Sequence, residues 1–206
     1  MKKLKFFIFF AVFLLSMAGN TFAAIFEDDF DNYNEGNGLL NYSFPDGDAK
    51  WTVTYGTVDL IGNGFYDLSP GNGLYIDMDG SSGTAGEIKS SLINLIPGSY
   101  MLSFDLAGNQ RNDSPELISL TVETGIFTKD YTLNQNDPFT TFTEYFTLSD
   151  FQEINIVFKG TGGDNVGILL DNVILVEATP VPLPGAIWFL GSGLIGIVGY
   201  RKRFKK

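Results

Sequence analysis

A chain of 206 residues with 24 Asp and Glu against 13 Lys and Arg carries a formal charge of −11. That is the wrong sign for holding nucleic acid, whose phosphates are bound by cations that displace condensed counterions. The chain has no Cys and no His, which excludes disulfides and Ser-His-Asp or Cys-His nucleophiles and removes the usual zinc ligands. The charges are also sorted along the sequence: all 24 acids lie between Glu27 and Glu177 with only five cations among them, a balance of −19, while both ends are basic.

Taken in chain order, Lys2, Lys3 and Lys5 form a positively charged opening, and Phe6 to Leu15 is an unbroken apolar run of the length a signal peptide uses. Thr21 and Ala23 satisfy the small-x-small requirement, so cleavage is expected after Ala23. From residue 24 to residue 177 the chain reads as short segments rich in Val, Ile, Thr, Phe and Tyr, broken by Gly, Asn, Asp and Pro, with no sustained helical period. Trp51–Tyr55 and Leu74–Asp79 alternate, and Ser99–Leu106 puts Tyr100, Leu102, Phe104 and Leu106 on one face. Further strands are predicted at Leu117–Thr124, Phe127–Leu133, Phe139–Leu148, Ile154–Lys159 and Gly167–Val176, with Phe151-Gln152 as a short turn. Nine or ten strands, with turn residues such as Asn63-Gly64, Asn72-Gly73 and Pro97-Gly98 between them, favour an all-β, jelly-roll-like β-sandwich over a barrel. A body of roughly 155 residues is one domain with one core.

After it, three prolines in Ala178-Thr179-Pro180-Val181-Pro182-Leu183-Pro184 rule out a helix interior and predict a stiff linker. Gly185 to Tyr200 is uncharged and, counted from Val181, approaches the usual 20 residues of a single transmembrane helix, with Trp188 and Tyr200 placed toward the two interfaces. Gly191, Gly193, Gly196 and Gly199 leave a smooth face on it. The basic residues Arg201, Lys202, Arg203, Lys205 and Lys206 are a stop-transfer signal, which keeps the tail cytoplasmic and leaves the acidic body outside. Both ends predict the same topology: an exported body on an inner-membrane anchor, reached through the export translocon and signal peptidase.

The run Val181-Pro182-Leu183-Pro184-Gly185-Ala186-Ile187-Trp188-Phe189-Leu190-Gly191, continued by the Gly-spaced apolar segment and the basic cluster at Arg201, Lys202 and Arg203, resembles the PEP-CTERM protein-sorting domain in its Val-Pro-Leu-Pro variant. Leu183 stands where the best-known form has Glu. The resemblance implies recognition by an exosortase, cleavage near the Pro motif, and delivery of the body to the cell surface or an extracellular exopolysaccharide matrix. In the body, the stretches 56–64, 73–81 and 97–111 together with Leu169-Leu170-Asp171-Asn172-Val173 are similar to bodies carried by this sorting signal and, more distantly, to jelly-roll carbohydrate-binding modules.

That second resemblance implies a structural Ca²⁺ held between the first and last strands, with Glu27, Asp29 and Asp171 as ligands; hard oxygen donors suit calcium. The same carboxylates read equally as solvated or turn-capping groups. Trp51, Tyr55, Tyr66 and Tyr75 are candidate platforms for a sugar ring, set against the ordinary use of aromatics as core. Asn109, Gln110 and Arg111 form a polar loop that either bonds a ligand or caps a turn. No local motif singles out a catalytic acid, so the body is expected to be non-enzymatic. The leading reading is a structural component of an exopolysaccharide or biofilm matrix, the alternative is a carbohydrate-binding module stabilised by calcium, and the third is a glycoside hydrolase.

Overall fold

The computed structural model describes residues 23–44, 50–111 and 115–178. The expected signal peptide up to residue 22, the sorting motif with Val181, Pro182, Leu183, Pro184 and Trp188, and the basic cluster with Arg201, Lys202 and Arg203 lie outside the described residues. Within them the chain is all β, with fourteen strands and no helix, and so no described helix is long and apolar enough to cross a membrane. The strands are β1 (Ala24–Asp28), β2 (Gly36–Leu39), β3 (Trp51–Tyr55), β4 (Val58–Gly62), β5 (Leu74–Asp77), β6 (Glu87–Ser90), β7 (Ile93–Leu95), β8 (Gly98–Ala107), β9 (Glu116–Val122), β10 (Phe127–Leu133), β11 (Thr140–Leu148), β12 (Gln152–Ile154), β13 (Ile156–Gly160) and β14 (Leu169–Glu177).

They form a seven-stranded sheet in the order β11-β8-β14-β5-β4-β2, with β1 also on β14, a five-stranded sheet in the order β10-β9-β13-β6-β3, and the small pair β12-β7. Strand β14 organises the larger sheet. One of its edges runs along β8 from Leu169↔Ala107 to Glu177↔Tyr100. The other edge is shared: Leu169 and Leu170 pair with β5, and Val173 to Val176 pair with β1. Between the two, at Asp171 to Ile174, the ladder slips by a bulge in which Asn172 takes a left-handed φ of 50°.

Alternation then assigns the faces. Leu60, Ile76, Leu102, Phe104, Leu106, Leu170 and Leu175 point into the sandwich and meet Val53, Ile88, Ile118, Leu120, Ile156 and Phe158 from the smaller sheet. Phe104 is the hinge of this contact, with its ring edge-on to Tyr131 at 5.3 Å and to Phe158 at 5.2 Å.

The single strand expected over 154–159 is broken at Asn155, where the chain leaves one sheet for another: Asn155 Nδ2 donates to Ser90 O (2.7 Å), and Ile156 N donates to Ser90 Oγ (2.9 Å), side-chain bonds standing in for a ladder. Gln152, expected in a turn, begins β12.

The outer face of the larger sheet is only partly open. Ile61, Tyr75, Ala107 and Leu169 form a second apolar cluster there, covered by Phe65, Leu68 and Phe139. The cover is the 63–73 loop folding back over its own hairpin, joined by Phe139 from the segment just before β11. Gly62 and Phe65 bond each other reciprocally (2.9 and 2.8 Å), and Gly62 has a φ of 124° where a Cβ would lie 2.1 Å from Gly73 O.

Candidate functional site

Where that loop ends its cover, the outer face opens into a cleft of about 240 Å³ lined by Asn37, Asp59, Ile61, Tyr66, Leu68, Asp77, Ser81 and Arg111. Its floor is two cross-strand partners, Asp59 on β4 and Asp77 on β5. Both are buried and saturated. Asp59 Oδ1 accepts from Gly38 N (2.5 Å) and Ser81 N (3.0 Å), and its Oδ2 accepts from Ser81 Oγ (2.7 Å). Asp77 Oδ1 accepts from Asp79 N and Gly167 N, each at 3.0 Å, and its Oδ2 is paired with Arg111 Nη2. Burial pushes the Asp77 carboxyl up to about 7, a shift that the Arg111 guanidinium opposes without cancelling.

Arg111 is a third exposed. It is placed by its neighbours: Asn109, itself fully buried, accepts from Arg111 N (2.9 Å), and Gln110, at a left-handed φ of 58°, donates from Nε2 to Gly108 O and Asp137 O at 3.1 Å each. Of the loop Asn109, Gln110 and Arg111, which the sequence offers either as ligand contacts or as a turn cap, Arg111 lines the cleft, while Asn109 is corrected from a ligand contact to the residue that sets the turn beneath it.

Tyr66 stands on the rim, 67% exposed, with a left-handed φ of 46°. A non-glycine residue held there is strained. The ring of Phe65 braces it edge-on at 4.8 Å.

Two of the expected platforms are corrected outright. Trp51 is fully buried, edge-on to Phe26 at 5.2 Å and within 6.2 Å of Phe30 and 6.1 Å of Phe158, so it presents no face to solvent. Tyr75 points to the outer face, as alternation requires, yet is also fully buried because the 63–73 loop lies over it. Its hydroxyl accepts from Leu68 N (2.7 Å) and Ser69 N (2.8 Å) and donates to Asp67 Oδ1 (3.0 Å); burial, above all, raises it to about 12. Tyr75 is therefore the post to which the Tyr66 loop is tied. Tyr55 is exposed on the opposite sheet, with Lys159 Nζ 5.3 Å above its ring.

The calcium candidates lie near a second cavity of about 200 Å³ lined by Glu27, Asp28, Asp29, Asn32, Lys50, Asn172 and Ile174. They do not assemble into a cage. Among the described residues no three acidic side chains come together in a way that holds a metal ion. Glu27 O accepts from Lys50 Nζ (2.9 Å), Asp28 is spent on Phe30 N (3.0 Å) and Tyr33 OH (2.6 Å), and Asp171 accepts from Asn172 N (2.7 Å) and, more weakly, Asn172 Nδ2 (3.3 Å). Burial, reinforced by the carboxylates of Asp105, Asp31 and Asp29, pushes Asp171 up to about 7. Among the described residues Glu27, Asp29 and Asp171 do not by themselves form a three-carboxylate metal group.

No family model matches the chain, and no curated protein matches it. Solved structures do. The CBM22-1 xylan-binding domain of Paenibacillus barcinonensis Xyn10C matches over 80% of this chain and 100% of its own, at 11% identity and a TM-score of 0.51. The C-terminal family 22 carbohydrate-binding module of Clostridium thermocellum Xyn10B matches over the same shares at 14% identity and a TM-score of 0.50. The likeness is one of fold. Against a larger protein, the Cry4Aa toxin of Bacillus thuringiensis, the chain spans only 20% of the other's length, with a TM-score of 0.38. The chain thus has the β-sandwich of carbohydrate-binding modules and spans two of them completely.

Proposed function

We propose that the body is a non-catalytic glycan-binding module, and that Tyr66 and Arg111 are its contact residues. The observation that carries this reading is the cleft itself: a braced, solvent-facing tyrosine ring beside a guanidinium whose position is fixed by a buried asparagine. A pyranose offers an apolar C–H face to stack on the ring and a rim of hydroxyls to accept from the guanidinium. The full-length match to two modules whose names specify xylan or carbohydrate binding supports it and favours it over a purely structural matrix role. Asp59 and Asp77 resemble a glycosidase pair only in number. Both are buried with oxygens bonded to backbone, serine and arginine donors, which supports the non-catalytic reading over a glycosidase pair. For the chain as a whole, the Val181–Pro184 motif and the basic tail support export, exosortase processing and display at the cell surface or in an exopolysaccharide matrix.

Titration of the full chain with soluble xylan and other β-linked polysaccharides tests the proposal. Tyr66→Ala removes an exposed side chain and is expected to leave the melting midpoint in place while weakening binding about fivefold or more, the equivalent of about 1 kcal/mol of ring contact. Absence of binding to every polysaccharide tried, or undiminished binding by Tyr66→Ala, overturns it.

A further inference from the structure

The two ends of the sandwich differ. Because β8 and β14 run antiparallel and pair from Leu169↔Ala107 to Glu177↔Tyr100, the Arg111 cleft belongs to the end at Ala107 and Leu169. The other end, roughly 30 Å away along the ten residues of β8 at about 3.4 Å each, is where the described chain both starts and stops. Ala24 pairs with Val176, and Ala178 N donates to Ser99 O (2.7 Å).

That end carries large apolar side chains in the open. Ile96, in the turn leading into β8, is 61% exposed, and Phe151 is 56% exposed. Extending the β12-β7 register by one residue beyond Gln152↔Leu95 sets them side by side. Ile25, in the first strand at the same end, is also exposed. Single exposed apolar residues need no explanation, but a group around both chain exits does. Beyond Ala178 only six residues, 179–184, precede the uncharged segment Gly185–Tyr200, and at no more than about 3.6 Å per residue they span about 20 Å.

We infer that this end face of the sandwich rests on the lipid bilayer while the chain is anchored, with Ile96 and Phe151 among the headgroups and the cleft held out toward the medium. The inference rests on the reading of Gly185–Tyr200 as a membrane anchor. The face is not basic: Asp150, Glu153 and Glu177 are exposed at the same end, so a zwitterionic surface suits it and an anionic one does not.

The chain contains no cysteine, so a single one can be introduced and labelled with an environment-sensitive fluorophore. The full chain is reconstituted in phosphatidylcholine vesicles carrying doxyl-labelled lipid, with the label at Ile96→Cys, at Phe151→Cys, or at Thr84→Cys in the exposed loop after β5 at the cleft end. Both apolar sites are more than half exposed, so neither substitution empties the core. Labels at 96 and 151 are expected to shift to the blue and lose at least half their emission to the doxyl lipid, and the label at 84 is expected to do neither. Vesicles that float with the chain while 96 and 151 behave like 84 overturn the lipid-facing assignment alone. A chain that does not float with vesicles overturns the anchor reading and this inference with it.

Discussion

Removing one oxygen atom separates the two roles the sequence allows for Tyr75. If the side chain is a post and not a platform, Tyr75→Phe keeps the ring, its edge contact with Phe139 at 5.4 Å and its place among Ile61, Ala107 and Leu169, and deletes only the hydroxyl. Three hydrogen bonds go with it, from Leu68 N at 2.7 Å, from Ser69 N at 2.8 Å and to Asp67 at 3.0 Å. At about 0.5–1.5 kcal/mol net each, discounted because Leu68 and Ser69 are only half-buried and water can replace part of what is lost, the loop is loosened by about 2 kcal/mol. That is close to a 30-fold rise in its opening equilibrium. Hydrogen exchange reads it directly: the amides of Leu68 and Ser69 should exchange about 30 times faster, while those of β8 and β14 stay as protected as before. Affinity for a soluble polysaccharide should fall with the loss of order at Tyr66. Unchanged exchange at Leu68 and Ser69 refutes the account of Tyr75 as the anchor of the loop.

Two further outcomes follow from the buried groups. Asp77 and Asp171 each have a folded-state carboxyl pushed up to about 7 from 3.8, so between those values the folded chain binds more protons than the unfolded one. Their contribution to stability is fully present below about pH 4 and is lost as pH rises toward 7, and the melting midpoint should be higher at pH 5.5 than at pH 8; a midpoint that is flat or higher at pH 8 contradicts the burial assigned to them. Trp51→Ala should cost about 3–5 kcal/mol by leaving a cavity among Phe26, Phe30 and Phe158, seen as a large drop in the denaturation midpoint, whereas a surface platform would lose binding with the fold intact.

How much could be read beforehand depended on length and on covering. Strand β10 occupies Phe127–Leu133 as expected, and β8 exceeds its predicted span by one residue at each end, because a long alternating run has one periodicity and one buried face. Strand β2, Gly-Asn-Gly-Leu, carries no such signal and exists only because β4 offers it an edge. Strands β7 and β12, three residues each, are held by one another and are too short to show a period. The same limit governs the site. Arg111 was conspicuous as one of five cations in an acidic body, but its partner Asp77 lies 34 positions away and gives no local sign of the pairing. Trp51, Tyr55, Tyr66 and Tyr75 look alike in sequence. What separates them is which surface a distant segment covers, and the loop that hides Tyr75 is the one that exposes Tyr66.

The shared edge of β14 has a consequence for how the molecule is made. Among the described residues β1 pairs only with the last strand, through Ala24↔Val176 to Asp28↔Val173, so the first strand of the body waits for the final one before it has a ladder partner. Loop-closure entropy makes such a contact late in folding. A chain delivered N-terminus first, by a ribosome or through a translocation pore, therefore holds its larger sheet open until Leu169–Glu177 emerges, and the moment of closure is the moment at which the body ends and the proline-rich linker begins.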